Sequence, residues 1–380
     1  MTRSEERNRK ITDAVIKKAE KVCPEALALI GVYGSFMTGD IHPRSDLDLL
    51  VLIDGESGRR LECAFVLEDD MVGYDVYCTG WEDLANDARY AHPHISKLME
   101  AKIVYCADEK YLERLEGLRK LTGEKLSAPL SAEDFDKALK NLEEAKRYAD
   151  KARRAPNEAK AREGAGGAVY YLENAVAMLN KRYFRLGVKR AYEELNGMEK
   201  RPEDFCGLIE RVVSAASADE VKERLSILMR ETAEVFAREG ARFGKTVSVR
   251  EGPEETDGAI PGNAERETGS GRKPATADAL EGTYEEMFSN WRGKMYLAAE
   301  TGNRHLAFMS LTSLSGMLSE IGGEWEIGEY DPFSGYDPED LRATAKAFDG
   351  ILDRYLEEYR KVGLTAKRFR SVDAFVREYL

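Results

Sequence analysis

The sequence predicts an α+β protein in which a small mixed sheet with flanking helices is followed by an α-helical bundle region. Apolar runs of strand length, separated by turns rich in Gly and Asp, fill residues 26–106. From residue 131 onward the apolar residues recur at helical spacing instead. The chain has 380 residues, 43% of them apolar, which suffices for two or three domains with sizeable cores. We therefore divide it into residues 1–127, 128–246, 247–281 and 282–380.

A helix precedes the predicted sheet, since apolar residues recur at helical spacing over residues 5–22 until Cys23-Pro24 ends the pattern. Two apolar runs then flank a Gly-Ser turn, and an acidic turn at residues 68–70 joins two further runs as a hairpin. In this region we predict helices over residues 5–22, 81–89 and 94–101, and strands over residues 26–33, 46–53, 61–67, 71–78 and 102–106.

Residues 34–53 carry the features around which the chain is organised. Gly34 lets backbone approach a phosphate closely, and Ser35 adds a hydroxyl group at the same turn. Asp46 and Asp48 open the next apolar run, so in a strand that starts at residue 46 their side chains would share a face. Adjacent carboxylates repel each other unless a cation lies between them, and such hard oxygen ligands suit magnesium. The sequence therefore predicts a phosphate site beside a magnesium site.

A third carboxylate is predicted on the second strand of the hairpin. Asp75 lies alone in an apolar and aromatic run, where burying a carboxylate is costly unless it is paired or bound to metal. A strand-edge Asp that only bonds a turn is the alternative for this residue. The neighbouring Glu68, Asp69 and Asp70 are better explained as a solvated turn. Asp75 is therefore our candidate for the third acid of the site.

These residues resemble the DNA polymerase beta-like nucleotidyltransferase superfamily. The resemblance rests on the Gly-Ser turn, on Gly39 a few residues later, and on Ser45-Asp46-x-Asp48 at the head of an apolar strand. The short spacing is most similar to the minimal and antibiotic-modifying members, of the kanamycin and streptomycin type. The resemblance covers about residues 30–80. It implies transfer of a nucleoside monophosphate from a nucleoside triphosphate to an acceptor hydroxyl, with magnesium.

The resemblance also implies a role for each motif residue. Gly34 and Ser35 would hold triphosphate oxygens. Asp46 and Asp48 would bind the metal, and two magnesium ions are expected. Asp75 would support the metals and help to activate the acceptor hydroxyl, which needs a group to take its proton. The first region, residues 1–127, is then the catalytic domain.

We therefore predict an adenylyltransferase that moves AMP from ATP to a hydroxyl of a small molecule, such as an aminoglycoside-like antibiotic. Arg44, just before the paired acids, would either neutralise phosphate or solvate the loop. One alternative is transfer to a protein side chain, as in minimal nucleotidyltransferase antitoxins. It is weakened because the helical region is fused in the same chain and carries no clear ribonuclease signature. The other alternative is a nucleotide-binding regulator without catalysis. The absence of one of the three acids would favour it, but all three are present in the sequence.

The helical regions are predicted to supply the acceptor side of the site. A capping box, Ser131 to Asp134, starts the bundle, and in the resembling enzymes such a domain closes the cleft and binds the acceptor. Glu173 is either an acceptor-side carboxylate or part of a solvated helix face. Residues 247–281, rich in Pro and Gly, are predicted to be a flexible linker or mobile excursion. Residues 282–380 should pack on the bundle or support a homodimer.

Composition argues against several classes of protein. The net charge of -13 makes general nucleic-acid binding unfavourable, because neutralising phosphates needs a basic surface. Five scattered cysteines without a C-x-x-C pair indicate reduced thiols. His92-Pro93-His94 has no further Cys or His cluster nearby, so a loop explains it better than a zinc site. Because no apolar run approaches the length of a membrane span, we expect a cytoplasmic protein.

Overall fold

Two small sheets with flanking helices form the first region of the computed structural model, which describes residues 2–39, 41–42, 44–249 and 271–380. The combination of sheets and separate helices confirms the α+β prediction. The helices here are α1 (Arg3–Val22), α2 (Ser35–Thr38), α3 (Trp81–Ala88), α4 (Ser96–Glu100) and α5 (Glu109–Ser127). The strands are β1 (Leu27–Tyr33), β2 (Asp48–Ile53), β3 (Cys63–Leu67), β4 (Val72–Val76), β5 (Cys78–Gly80) and β6 (Lys102–Cys106).

Helices dominate the rest of the described chain, and none of them is long and apolar enough to cross a bilayer. The predicted linker at 247–281 falls mostly on residues 250–270, which lie outside the described residues. The bundle contains α6 (Ala132–Arg154), α7 (Glu158–Leu179), α8 (Ala191–Asn196), α9 (Phe205–Val213) and α10 (Ala218–Ala241). The described end of the predicted linker contains β7 (Lys273–Pro274) and α11 (Ala277–Leu280). The last region contains α12 (Thr283–Met287), a π-helical turn (Phe288–Arg292), α13 (Gly293–Thr301), α14 (Arg304–Glu324), β8 (Trp325–Glu326), α15 (Leu341–Lys361), β9 (Arg368–Phe369) and α16 (Val372–Tyr379).

The first sheet has the order β5-β2-β1-β6 and is mixed, because β2 is antiparallel to β1 and parallel to β5. Its register pairs Tyr33, the last residue of β1, with Asp48, the first of β2. The expected strand start at Asp46 was two residues too early. Gly34 turns the chain away after Tyr33, so Asp46 lies beyond the last paired residue, in the loop before β2. The two acids therefore do not alternate along one strand.

The second sheet contains the predicted hairpin, β3 and β4, in which Asp75 pairs with Ala64. Its third strand, β9, comes from the far end of the chain and runs parallel to β3. The following helix α16 packs on α1, and the Phe375 ring stacks on Phe65 with 3.8 Å between ring centroids. The expectation that residues 282–380 pack on the bundle is therefore incomplete, because their last segment belongs to the core of the first region.

Small residues of α7 bring neighbouring helices close. A Cβ atom on Gly164 would lie 2.6 Å from the Ala152 backbone nitrogen of α6, which is closer than side chains allow. α6 itself begins with the expected capping box between Ser131 and Asp134. One buried apolar cluster then runs through the bundle into α12–α15. The bundle and the last region therefore share a core.

The start of the last region also touches the motif segment. A Cβ on Gly73 of β4 would lie 2.6 Å from the Ser289 Cα in the π-helical turn. A Cβ on Gly293 would lie 2.8 Å from the Arg44 carbonyl oxygen. Both glycines permit backbone contact where a side chain would clash. The π-helical turn and α13 therefore lie directly against the hairpin and the loop that carries Asp46.

Candidate active site

The Gly34 turn is built around the Asp48 carboxylate. Gly34 has φ +67° and ψ −147°, a backbone conformation that glycine alone adopts readily. A Cβ at this position would lie 1.8 Å from Asp48 Oδ2, so no side chain fits. The backbone N–H of Ser35 donates a hydrogen bond to the same carboxylate. The predicted phosphate turn and the predicted metal ligand are therefore in direct contact.

Asp46 and Asp48 are half-buried neighbours that disfavour each other's negative charge. Burial, together with the adjacent Asp46 charge, raises the pKa of Asp48 to about 7. Burial also raises the pKa of Asp46, and nearby Lys294 and Lys189 oppose that rise. Although Asp46 precedes the strand, the loop still brings its carboxylate beside Asp48. A bound cation would relieve this repulsion.

Asp75 joins this electrostatic group from the second sheet. It is half-buried on β4, and burial raises its pKa to about 7, with further contributions from Glu286 and Asp46. The negative charge of Asp46 thus acts on both Asp48 and Asp75. The three carboxylates predicted from the sequence therefore interact electrostatically. Glu286 of α12, which the sequence prediction did not include, adds its negative charge near Asp75.

The chemistry of these donors fits magnesium with an incomplete set of protein ligands. Carboxylate oxygens are the hard ligands that Mg²⁺ prefers, and the ion commonly keeps water and substrate phosphates in its other positions. Across the described ranges, no three His, Cys, Asp or Glu side chains are already arranged to hold a metal ion. Asp46 and Asp48 would therefore provide the protein part of a site that is completed by substrate oxygens.

Arg44, predicted to neutralise phosphate or to solvate the loop, is engaged by helix α13. Its guanidinium forms an ion pair with Glu300 and lies 4.9 Å from the centre of the Tyr296 ring. His42 contacts the same carboxylate, with 2.9 Å between His42 Nε2 and Glu300 Oε2. Glu300 thus binds two residues of the loop that precedes Asp46. A phosphate role for Arg44 stays a prediction.

Three residues of the helical regions influence the acids and were missed by sequence reasoning. Lys189 and Lys294 place positive charge beside both Asp46 and Asp48. Ser289, a buried residue of the π-helical turn, lies next to the Asp46 carboxylate. No local motif marks these three positions, because lysine and serine are ordinary residues on helix surfaces. Only the tertiary contact of the helical regions with the loop identifies them.

A cleft of about 510 Å³ opens beside the Gly34 turn, between the first region and the bundle. Its charged groups form pairs, Arg185 with Glu100 at 3.1 Å and Arg190 with Glu193 at 2.6 Å. The lining is therefore polar but balanced in charge. Its residues are Gly34, Met37, Thr38 and Glu100 from the first region and Arg185, Leu186, Arg190 and Glu193 from the bundle region.

Two other candidates from the sequence have structural explanations. Glu173 is neither solvated nor open to a cleft, since it is buried and lies 2.6 Å from His305 Nε2 of α14. This pair links the bundle to the last region. His94, of the His-Pro-His segment, stacks on Tyr170 and contacts Asn174 at 2.9 Å. Burial lowers the pKa of His94 to about 4, as expected for a neutral packed imidazole.

Comparison with known proteins agrees with this geometry. Residues 15–149 match the model of a family described as the nucleotidyltransferase domain. No curated protein matches the chain. The matched range contains the Gly34 turn and all three predicted carboxylates. The first part of the chain is thus similar to nucleotidyltransferase domains, and the match supports its placement in the DNA polymerase beta-like superfamily.

Proposed function

We propose that the protein is a magnesium-dependent adenylyltransferase that moves AMP from ATP to a hydroxyl group of a small molecule. The observation that carries this proposal is the contact between the Gly34 turn and Asp48, with Asp46 and Asp75 close by. A backbone turn without a side chain, in contact with one carboxylate and close to others, fits metal-assisted phosphoryl chemistry. The family match supports nucleotide transfer in general, and the choice of AMP and of magnesium is ours.

The proposed roles follow from the positions of the side chains. Asp46 and Asp48 would hold magnesium, which when bound neutralises charge on the triphosphate. Gly34 through its backbone and Ser35 through its hydroxyl group would contact the triphosphate. Asp75 would accept the proton of the attacking hydroxyl, because a carboxylate whose pKa is raised to about 7 is matched to that task at neutral pH.

The acceptor is proposed to bind in the cleft beside the Gly34 turn. A cleft of about 510 Å³ between two parts of a chain is within the size range of small-molecule sites. Its balanced charges, Arg185 with Glu100 and Arg190 with Glu193, suit a polar molecule rich in hydroxyl groups. The net charge of -13 further favours a neutral or cationic acceptor, including aminoglycosides, over a polyanion.

The test is transfer of label from each of the four nucleoside triphosphates, labelled at the α-phosphate, in the presence of magnesium. The acceptor pools are an aminoglycoside and lincosamide panel, a cell metabolite extract and cell protein. We expect label from ATP on a small molecule, and its loss in Asp48→Asn. Asp69→Asn is the matched control, because Asp69 is an exposed acid of the hairpin turn. Its activity should equal that of wild type.

Other outcomes would contradict specific parts of the proposal. Label on protein alone would replace the small-molecule acceptor by a protein side chain, as in antitoxin-type enzymes. Preference for another nucleotide would overturn the assignment of AMP. Nucleotide binding without transfer to any pool would favour a regulator that kept the fold, and equal transfer by Asp48→Asn would remove the carboxylate from the mechanism.

A further inference from the structure

Two lysines from outside the matched range lie against the loop that carries Asp46. Lys189 follows α7, and its Nζ lies 3.5 Å from Ser45 Oγ. Lys294 is the second residue of α13, and its neighbour Gly293 is packed on the Arg44 carbonyl oxygen. Both lysine side chains are half-buried. They therefore approach the same short segment from two different helical regions.

The two lysine segments are held together as well as against the loop. Asn303, just after α13, donates a hydrogen bond from Nδ2 to the Lys189 carbonyl oxygen at 3.4 Å. Glu300, at the end of α13, binds His42 and Arg44. These contacts limit how far the backbone of either lysine can move from the loop that carries Asp46. Lys189 and Lys294 are thus held near the acids.

The lysine charges act directly on the two metal-ligand candidates. Each ammonium group attracts the Asp46 and Asp48 carboxylates, and Lys294 exerts the larger attraction of the two lysines. Without a bound ligand, the two lysines therefore compensate the two carboxylates. A divalent cation on the carboxylates would take over that compensation and would leave two ammonium groups beside a metal of like charge.

We propose that Lys294 and Lys189 bind the triphosphate of the nucleotide, so that the active site requires both helical regions in addition to residues 15–149. The inference rests on the proposed function, because it assumes a metal-bound nucleotide at Asp46 and Asp48. An anion that enters together with the metal removes the repulsion between metal and lysines. Metal and polyphosphate should therefore bind cooperatively. Each lysine should lower the affinity for metal alone and raise the affinity for polyphosphate.

The test uses the full chain and two binding measurements that need no acceptor. Mn²⁺ binding alone is followed by electron paramagnetic resonance, and inorganic tripolyphosphate binding in the presence of Mn²⁺ by calorimetry. In Lys294→Met and Lys189→Met we expect tripolyphosphate to bind about tenfold or more weakly, the effect of losing a charge-assisted hydrogen bond. Mn²⁺ alone should bind more tightly in the same variants. Lys294→Arg should restore most of the tripolyphosphate affinity.

Lys346→Met, at an exposed position of α15, is the matched control and should change neither affinity. If both lysine variants bind tripolyphosphate with wild-type affinity, the inference is overturned. The proposed function would still stand in that case, provided that Asp48→Asn loses transfer activity. A joint fall in Mn²⁺ and tripolyphosphate affinity, with a lower unfolding midpoint, would assign the lysines a structural role only. A wild-type protein that neither binds tripolyphosphate nor transfers label would overturn the proposed function itself.

Discussion

Replacing Gly34 by Ala tests whether the turn is shaped by the Asp48 carboxylate. The added Cβ would lie 1.8 Å from Asp48 Oδ2, and an ordinary contact begins near 3.4 Å. The carboxylate or the turn would therefore have to move by about 1.6 Å, the difference between these distances. A misplacement of roughly 1 Å can cost about a hundredfold in rate. We expect at least that loss of transfer activity, together with much weaker Mn²⁺ binding.

Gly39→Ala separates this clash from the cost of the backbone conformation. Gly39 also has a positive φ, +77°, but no described atom lies within 4 Å of its Cβ position. Alanine in the left-handed region costs about 1–2 kcal/mol, so Gly39→Ala should lower the free energy of unfolding by about that amount. Gly34→Ala lies in a region that is largely restricted to glycine, and about 1–3 kcal/mol is expected there. Because the clash adds to this backbone cost, Gly34→Ala should lose at least as much stability as Gly39→Ala.

The measurements are Mn²⁺ titration and urea unfolding of the two variants side by side. Two folded variants, with loss of metal binding in Gly34→Ala alone, would support the contact with Asp48. Equal Mn²⁺ affinity in the two variants would refute the reasoning. It would mean that the turn and the carboxylate are not coupled, and that Gly34 serves only the backbone conformation.

Four further predictions concern the acids and the core. Asp46→Asn and Asp48→Asn should each abolish transfer and Mn²⁺ binding while the circular dichroism spectrum stays unchanged. Because the pKa of Asp48 is raised from 3.8 to about 7, Mn²⁺ affinity should rise with pH through that range. The same shift makes stability fall as pH rises from 3.8 to about 7, so Asp48→Asn should raise the unfolding midpoint at pH 8 but not at pH 4. Phe375→Ala should lower the free energy of unfolding in urea by about 3–5 kcal/mol, because the Phe375 side chain is buried. The control Val104→Ala, at an exposed position, should lower it by less than about 0.5 kcal/mol.

Local signals account for what the sequence could predict. The Gly34 turn follows from a glycine between two apolar runs, and it has the positive φ that glycine permits. The hairpin around Asp75 follows from two apolar runs joined by an acidic turn. The start of α6 follows from the Ser131 to Asp134 capping box. In each case the residues that determine the element are neighbours along the chain.

Contacts between distant residues were not predictable in the same way. The return of α16 to α1 depends on Phe375 stacking on Phe65, and an apolar helix face does not specify its partner. The start of β2 was misplaced because pairing with Tyr33, rather than apolar character, determines where the strand begins. Lys294 resembles any other helical lysine until α13 is placed against the acids.

The electrostatics of the acids explains why we include the helical regions in the proposed site. Burial and mutual repulsion raise the pKa values of Asp46, Asp48 and Asp75, so the folded protein pays for holding them together. That cost is partly offset by the ammonium groups of Lys189 and Lys294, which come from beyond the range matched by the family model. The nucleotidyltransferase-like region therefore provides the acids, and the helices provide the positive charge that makes their clustering tolerable before substrate binds.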